Sequence, residues 1–162
     1  MTQTHLRMIN QRAAQHKEIA KDVEKVFDVH PLARVLTSMP GVGVKIAARL
    51  LAEIGGDVAA FPTAAHLAAY AGLAPVTKRS GTSIRGEHVN RGGNKRLKNA
   101  LFMAAFTSLR ADPASRAYYD RKRAEGKKHN AALICLARRK TDVLFAMIRD
   151  KHPYTPTTVA AA

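Results

Sequence analysis

Apolar residues recur every three or four positions through most of this chain. They begin with Leu6, Ile9, Ala13, His16, Ala20, Val23 and Phe27, and that spacing predicts a long first helix carrying one narrow stripe. Such a stripe needs a partner. Ala13 and His16 at its centre weaken a self-sufficient coiled coil, so packing onto the body of the protein and pairing with another copy both stay open. His30-Pro31 predicts the end of this helix, because the residue before a proline is driven out of the α region, and Pro31 can open a short helix reaching Ser38. Ile46, Ala47, Leu50, Leu51 and Ile54 mark another, closed by Gly55-Gly56. Thr63 caps and Gly72 stops a short helix in "FPTAAHLAAYAGL". Asn94 caps a helix with Leu97, Leu101, Ala104 or Ala105, and Ser108 or Leu109 on its inner face. Asp112-Pro113 starts one that runs past Tyr118 and Tyr119 to about Glu125 and stops at Gly126. Asn130 caps the last, whose buried face is Ile134, Ala137, Thr141, Leu144 and Ile148.

No sustained strand alternation interrupts this pattern, so the predicted class is all-α. Residues 1–30 form an N-terminal helix, 31–152 a helical domain and 153–162 a flexible tail. Between Gly72 and Gly93 helical periodicity disappears, and five of the 10 glycines fall there. A long irregular segment inside a compact domain is usually functional when ordered. A brief hairpin turning at Arg85-Gly86-Glu87 is one local expectation within it.

Composition adds a partner. The 162 residues, 46% hydrophobic, suffice for one core, and 27 Lys and Arg against 12 Asp and Glu leave a formal charge of +15. An excess of that size is matched to a polyanion, nucleic acid foremost. A membrane surface fits poorly, because alanine dominates the helix faces where an interfacial helix needs bulky apolar groups. No spanning run and no signal-peptide core are visible, and the chain reads as cytoplasmic. Cys135 has no partner for an internal disulfide, and the 7 His show no spacing that places two ligands on one metal, so no metal site is expected from this chain alone.

Two segments carry candidate chemistry. In "MPGVGVKIAARLLAEIGGD", Gly41 and Gly43 make a tight turn between two helices and Lys45 lies in the first turn of the second. The pattern resembles the helix-hairpin-helix of DNA repair and recombination proteins, in which glycines let helix N-terminal N–H groups approach a phosphate; an ordinary αα-hairpin is the plainer reading. In "KRSGTSIRGEHVNRGGNKRLK", Lys78, Arg79, Arg85, Arg91, Lys95, Arg96 and Lys98 face only Glu87. Cations at the start of a helix oppose its macrodipole, so Lys95 and Arg96, beside the capping Asn94, anticipate an anion. Ser80 precedes Gly81, which has no side chain to hinder a phosphodiester. A serine needs a base before it becomes a nucleophile, and Glu87 and His88 are the local candidates.

Taken together, residues 39–105 and "RAYYDRKRAEGKKHNAALICLARR" resemble the C-terminal domain of the insertion-sequence 110/116/902 transposases and the related Piv-type DNA invertases, over about residues 35–150. The resemblance implies that Ser80 is the essential serine, acting with a RuvC-like N-terminal domain whose acidic residues hold Mg2+. It further implies DNA as partner, a guide RNA in some members, a linker-like role for the first helix and a homo-oligomer. The chain begins near that linker, so it is expected to bind nucleic acid without completing strand transfer by itself. Two rivals stand beside this. One is a non-catalytic helix-hairpin-helix binding module. The other is a tyrosine-recombinase-like domain using His88, Arg91 and Tyr118 or Tyr119, although aromatic packing explains that tyrosine pair more simply.

Overall fold

The computed structural model describes residues 3–74, 76–80, 83–88 and 92–156, giving the backbone for the two segments between 76 and 88. Its body is all-α: α1 (Gln3–Asp28), α2 (Ala33–Thr37), α3 (Val44–Ile54), α4 (Ala64–Tyr70), α5 (Lys95–Ala111), α6 (Pro113–Ala124) and α7 (His129–Asp150). One antiparallel ribbon, β1 (Val76–Ser80) and β2 (Ser83–His88), is inserted between α4 and α5.

The core forms where α5 and α7 cross and collect the others. Helices α3, α6 and α7 pack on α5, and α2, α4 and α6 pack on α7. Leu36, Leu50, Leu67, Leu97, Leu101, Leu133 and Leu144 are fully buried there. Each such leucine contributes about 1.5–3 kcal/mol of transfer free energy. The inner faces predicted for α5 and α7 are the observed ones, except that Ile134 is only half-buried. Small residues at the crossings, Ala47, Ala68, Ala100, Ala104 and Ala137, let backbones approach closely.

Helix ends follow local chemistry. The Asp112 carboxylate accepts from the N–H groups of Ala114 and Ser115 ahead of α6, Thr63 accepts from His66 N–H at α4, and Gly55 and Gly126 adopt left-handed conformations after α3 and α6. Helix α7 differs from expectation: it begins at His129 behind Lys128 with no side-chain cap, so Asn130 lies inside the first turn. His30 acts where proline chemistry alone was expected, its Nδ1 accepting from Leu32 N–H at 3.1 Å.

Helix α1 stands mostly clear of the body. Only Phe27 of its stripe is buried; Leu6, Ile9 and Val23 are exposed, and among the described residues the helix meets only α2 and α3. Packing of the whole stripe onto the body is therefore not what the chain does. At the other terminus Tyr154 is half-buried against the core and its N–H donates to Ser38 Oγ at 2.8 Å, so the start of the expected tail is tethered.

Candidate nucleic-acid interface

Among the described residues, the ribbon pairs with itself and with no helix. Its register is Ser80 with Ser83 and Arg79 with Ile84, then Thr77 with Glu87 and Val76 with His88. The shift between these two sets places Arg85 and Gly86 opposite Lys78, a bulge in β2. This corrects the expected turn at Arg85-Gly86-Glu87: those residues are strand, and the glycine lies in the bulge. Ser80 is thus at the end of the ribbon remote from its root. At about 3.3 Å per residue, Glu87 and His88 pair roughly 10 and 13 Å further down the ribbon. Gly81 and Arg91 lie outside the described residues.

Where the ribbon leaves the body, glycines close a neck. Gly72 and Gly93 both have positive φ, 68° and 83°. A Cβ on Gly93 would meet Gly72 N at 2.6 Å and Tyr70 O at 2.7 Å; one on Gly72 would meet Gly92 O at 2.4 Å. Asn94 N–H donates to Tyr70 O at 2.7 Å across the same neck. The Asn94 side chain completes it: Oδ1 accepts from Arg96 and Leu97 N–H at 3.0 Å, while Nδ2 donates to Glu53 Oε2 at 2.8 Å and to the Tyr70 hydroxyl at 3.0 Å. The Asn94 amide is thus engaged in the fold on both sides. Lys95 and Arg96 beside it are exposed in the first turn of α5, where no acidic residue stands.

The glycine turn lies at the opposite end of α5. Val42 N–H donates to Met39 O at 3.0 Å, and with Pro40 second and Gly41 third at φ 84° this is a type II turn. A Cβ on Gly41 would come within 2.3 Å of Ala104 O and 2.6 Å of Ser108 N. Gly41 therefore serves close contact with α5. The Thr107 hydroxyl lies 2.6 Å from Gly41 O and 2.8 Å from Met103 O and shares its proton between them. Gly43 fits the expectation better: it precedes α3 with an ordinary φ of −86°, has open space around a notional Cβ, and no side chain caps that helix. Exposed Lys45 follows. An open cleft of about 770 Å³ runs along this turn, bordered by Glu24, Ser38, Lys45, Thr107 and Ala111.

One residue here escaped the sequence reading. Lys140 is 5% exposed, and its Nζ donates to Pro40 O at 3.0 Å, pinning the turn from α7. Burial pushes its pKa down to about 8, a shift the Asp112 charge partly opposes. Its position three residues after Ala137 and four before Leu144 was the available signal.

The two candidate regions are not brought together. From Asn94 to Thr107, α5 advances about 20 Å at 1.5 Å per residue. Among the described residues no three His, Cys, Asp or Glu side chains gather to hold a metal ion, and no helix is long and apolar enough to cross a membrane. Of the tyrosines, Tyr118 packs beneath cations and the Tyr119 hydroxyl lies 2.6 Å from His129 Nδ1.

Comparison with known proteins adds a family. The profile of the transposase IS116/IS110/IS902 family matches residues 33–120. An uncharacterized 43.6 kDa protein of insertion element IS110 from Streptomyces coelicolor is 60% identical over 84% of this chain and 33% of its own length. The uncharacterized 42 kDa protein of insertion element IS900 from Mycobacterium paratuberculosis is 48% identical over 86% of the chain and 35% of itself. A pilin gene-inverting protein of Moraxella bovis is 37% identical over 75% of the chain and 38% of itself. The chain spans about a third of the length of the curated relatives it matches.

Proposed function

Because this chain belongs to the IS116/IS110/IS902 family of transposases, we propose that it is the DNA-handling, serine-bearing part of a transposase or site-specific recombinase. The observation that carries the reading is the ribbon, which among the described residues contacts no helix and has Ser80 at its far end. Lys78, Arg79 and Arg85 occupy its strands, and Lys95 and Arg96 follow at the helix start beyond the neck. A strand end that touches no helix can enter a cleft between DNA and another protein domain. Cations around it would stabilise the charge that develops on phosphorus.

In this reading Ser80 Oγ attacks a DNA phosphorus: the Oγ–P bond forms as the P–O bond to one strand breaks. The serine proton passes to a base, and the departing strand oxygen takes up a proton. The resulting phosphoserine ester conserves a phosphodiester for rejoining. Glu87 and His88 pair at the ribbon root, and in this reading an acidic residue of a RuvC-like domain serves as the base. Mg2+ finds no fitting donor set among the described residues. The exposed stripe of α1 suits a second copy of the chain, and a guide RNA is a further partner by family resemblance. Under the non-catalytic alternative, favoured by the uncapped N-terminus of α3, the same surfaces bind DNA without chemistry.

Incubating this chain joined to a RuvC-like domain with insertion-element DNA ends and trapping covalent protein–DNA adducts decides between these. Adducts lost in Ser80→Ala but kept in Tyr118→Phe and Tyr119→Phe support the serine mechanism. Loss only with a tyrosine change rejects it, and no adduct from any version favours the binding module.

A further inference from the structure

We propose that the face of α6 and α7 around Tyr118 is a second DNA-backbone contact surface, with Arg121 and Arg139 as its phosphate-binding cations. The inference rests on the reading that DNA is the partner of this chain, and it adds a surface that neither the serine ribbon nor the glycine turn provides.

The starting point is an uneven distribution of ion pairs. Along these two helices Arg116 pairs with Asp120 at 3.0 Å, Lys122 with Glu125 just past the end of α6 at 2.7 Å, and Arg138 with Asp142, each between residues three or four apart. Arg121 and Arg139 have no carboxylate at ion-pair distance among the described residues, although Arg121 is near enough to help Lys122 hold the Glu125 carboxyl below its usual range. Both are exposed, yet both converge on one half-buried ring from two different helices: Arg121 Cζ is 5.1 Å and Arg139 Cζ 5.0 Å from the centroid of Tyr118. Meeting at one centroid, the two carbons are separated by no more than about 10 Å. Lys122 Nζ joins them at 5.7 Å.

Like charges held over one ring repel, and the ring quadrupole offsets this only in part. A phosphate resolves it. Neither guanidinium donates a hydrogen bond to another described residue, so their planar N–H forks remain available to an oxyanion, the geometry in which arginine exceeds lysine. Packing on Tyr118 also restricts side chains that would otherwise lose more freedom on binding.

The surface is distinct from the ribbon. Helix α6 packs only on α5 and α7 among the described residues. The neighbouring Tyr119 reaches His129, whose ring stacks edge-on to Phe106 at 6.4 Å. The cluster thus sits beside the second half of α5, and Phe106 is about 18 Å along that helix from Asn94 at the neck. An extended duplex matches two basic surfaces so separated better than a compact anion does.

The test is fluorescence anisotropy of the 162-residue chain with a labelled DNA duplex over a salt series, with circular dichroism and melting confirming that each variant is folded. Arg121→Gln with Arg139→Gln is expected to lower the log affinity–log salt slope by about two, and Arg121→Lys with Arg139→Lys to keep most of it. Arg79→Gln with Arg96→Gln, tested in parallel, separates the two readings. If that pair weakens binding while the α6–α7 pair leaves slope and affinity unchanged, the second surface is overturned and the ribbon reading stands. The converse keeps this surface and removes the ribbon. No binding by the parent chain overturns both, and a slope change seen with duplex RNA but not with duplex DNA overturns the assignment to DNA.

Discussion

Gly93 is pressed against Gly72, so closely that a single added methyl on Gly93 would lie 2.6 Å from the Gly72 nitrogen. Both residues are left-handed, and between them the chain makes its whole excursion into the ribbon and back. The neck joins the body through Tyr70 and Asn94, and from Asn94 to Glu53 on α3.

Gly93→Ala is therefore expected to destabilise the protein by about 3 kcal/mol, combining left-handed strain with overpacking against backbone that has no rotamer to change. Thermal or denaturant melting measures it. A cost below about 1 kcal/mol would mean that the neck is looser than described.

The turn before α3 offers an internal contrast. Gly41→Ala is expected to cost about 3 kcal/mol, because its Cβ would enter Ala104 O of α5. Gly43→Ala has open space and an ordinary φ, and should stay within about 1 kcal/mol of the parent. If the α3 N-terminus receives a phosphate, Gly43→Ala also weakens DNA binding in a titration at fixed salt; unchanged affinity would assign that end to solvent.

Lys140 gives the fold a dependence on alkaline pH. Its folded pKa, about 8, lies below its unfolded value of about 10.4, so the unfolded chain binds more protons between the two and stability rises with pH there. The penalty for burying the charged amine is fully present below about pH 8 and is relieved towards about pH 10, by up to about 3 kcal/mol. In denaturant melts across this range Lys140→Met should lack the rise. Parallel pH profiles for parent and variant would show that the amine is solvated in the folded state.

Replacing Arg79, Arg91 and Arg96 with Ala should weaken nucleic-acid binding and flatten its salt dependence, each lost phosphate contact removing about one ion from the release term. A salt slope equal to the parent's would mean that these cations merely face solvent.

The helices were legible because their signals are local. Thr63, Asp112 and Asn94 cap where they were expected to, and the inner faces of α5 and α7 follow a 3.6-residue period that needs only one surface to pack on. What the sequence hid depends on a second segment. Glycine-rich composition near Ser80 suggested room for a phosphate, whereas Gly72 and Gly93 make room for each other and Gly86 for a bulge. The close approach of Gly41 to α5 likewise depends on a helix about sixty residues away in the chain, and no local signal announces it. The stripe of α1 was visible, but periodicity cannot tell a covered face from an uncovered one. Lys140 was masked by its own type, because a lysine at an inward position reads as an error in phase until an acceptor such as Pro40 O is found. Family resemblance supplied Ser80, and no rule of spacing singles out that hydroxyl.

Helix α5 also fixes a distance. With the ribbon neck at one end and the glycine turn at the other, it holds the two about 20 Å apart, an interval that a duplex advancing about 3.4 Å per step covers in roughly six. If both ends meet nucleic acid, the length of this one helix sets the spacing between the two points of contact.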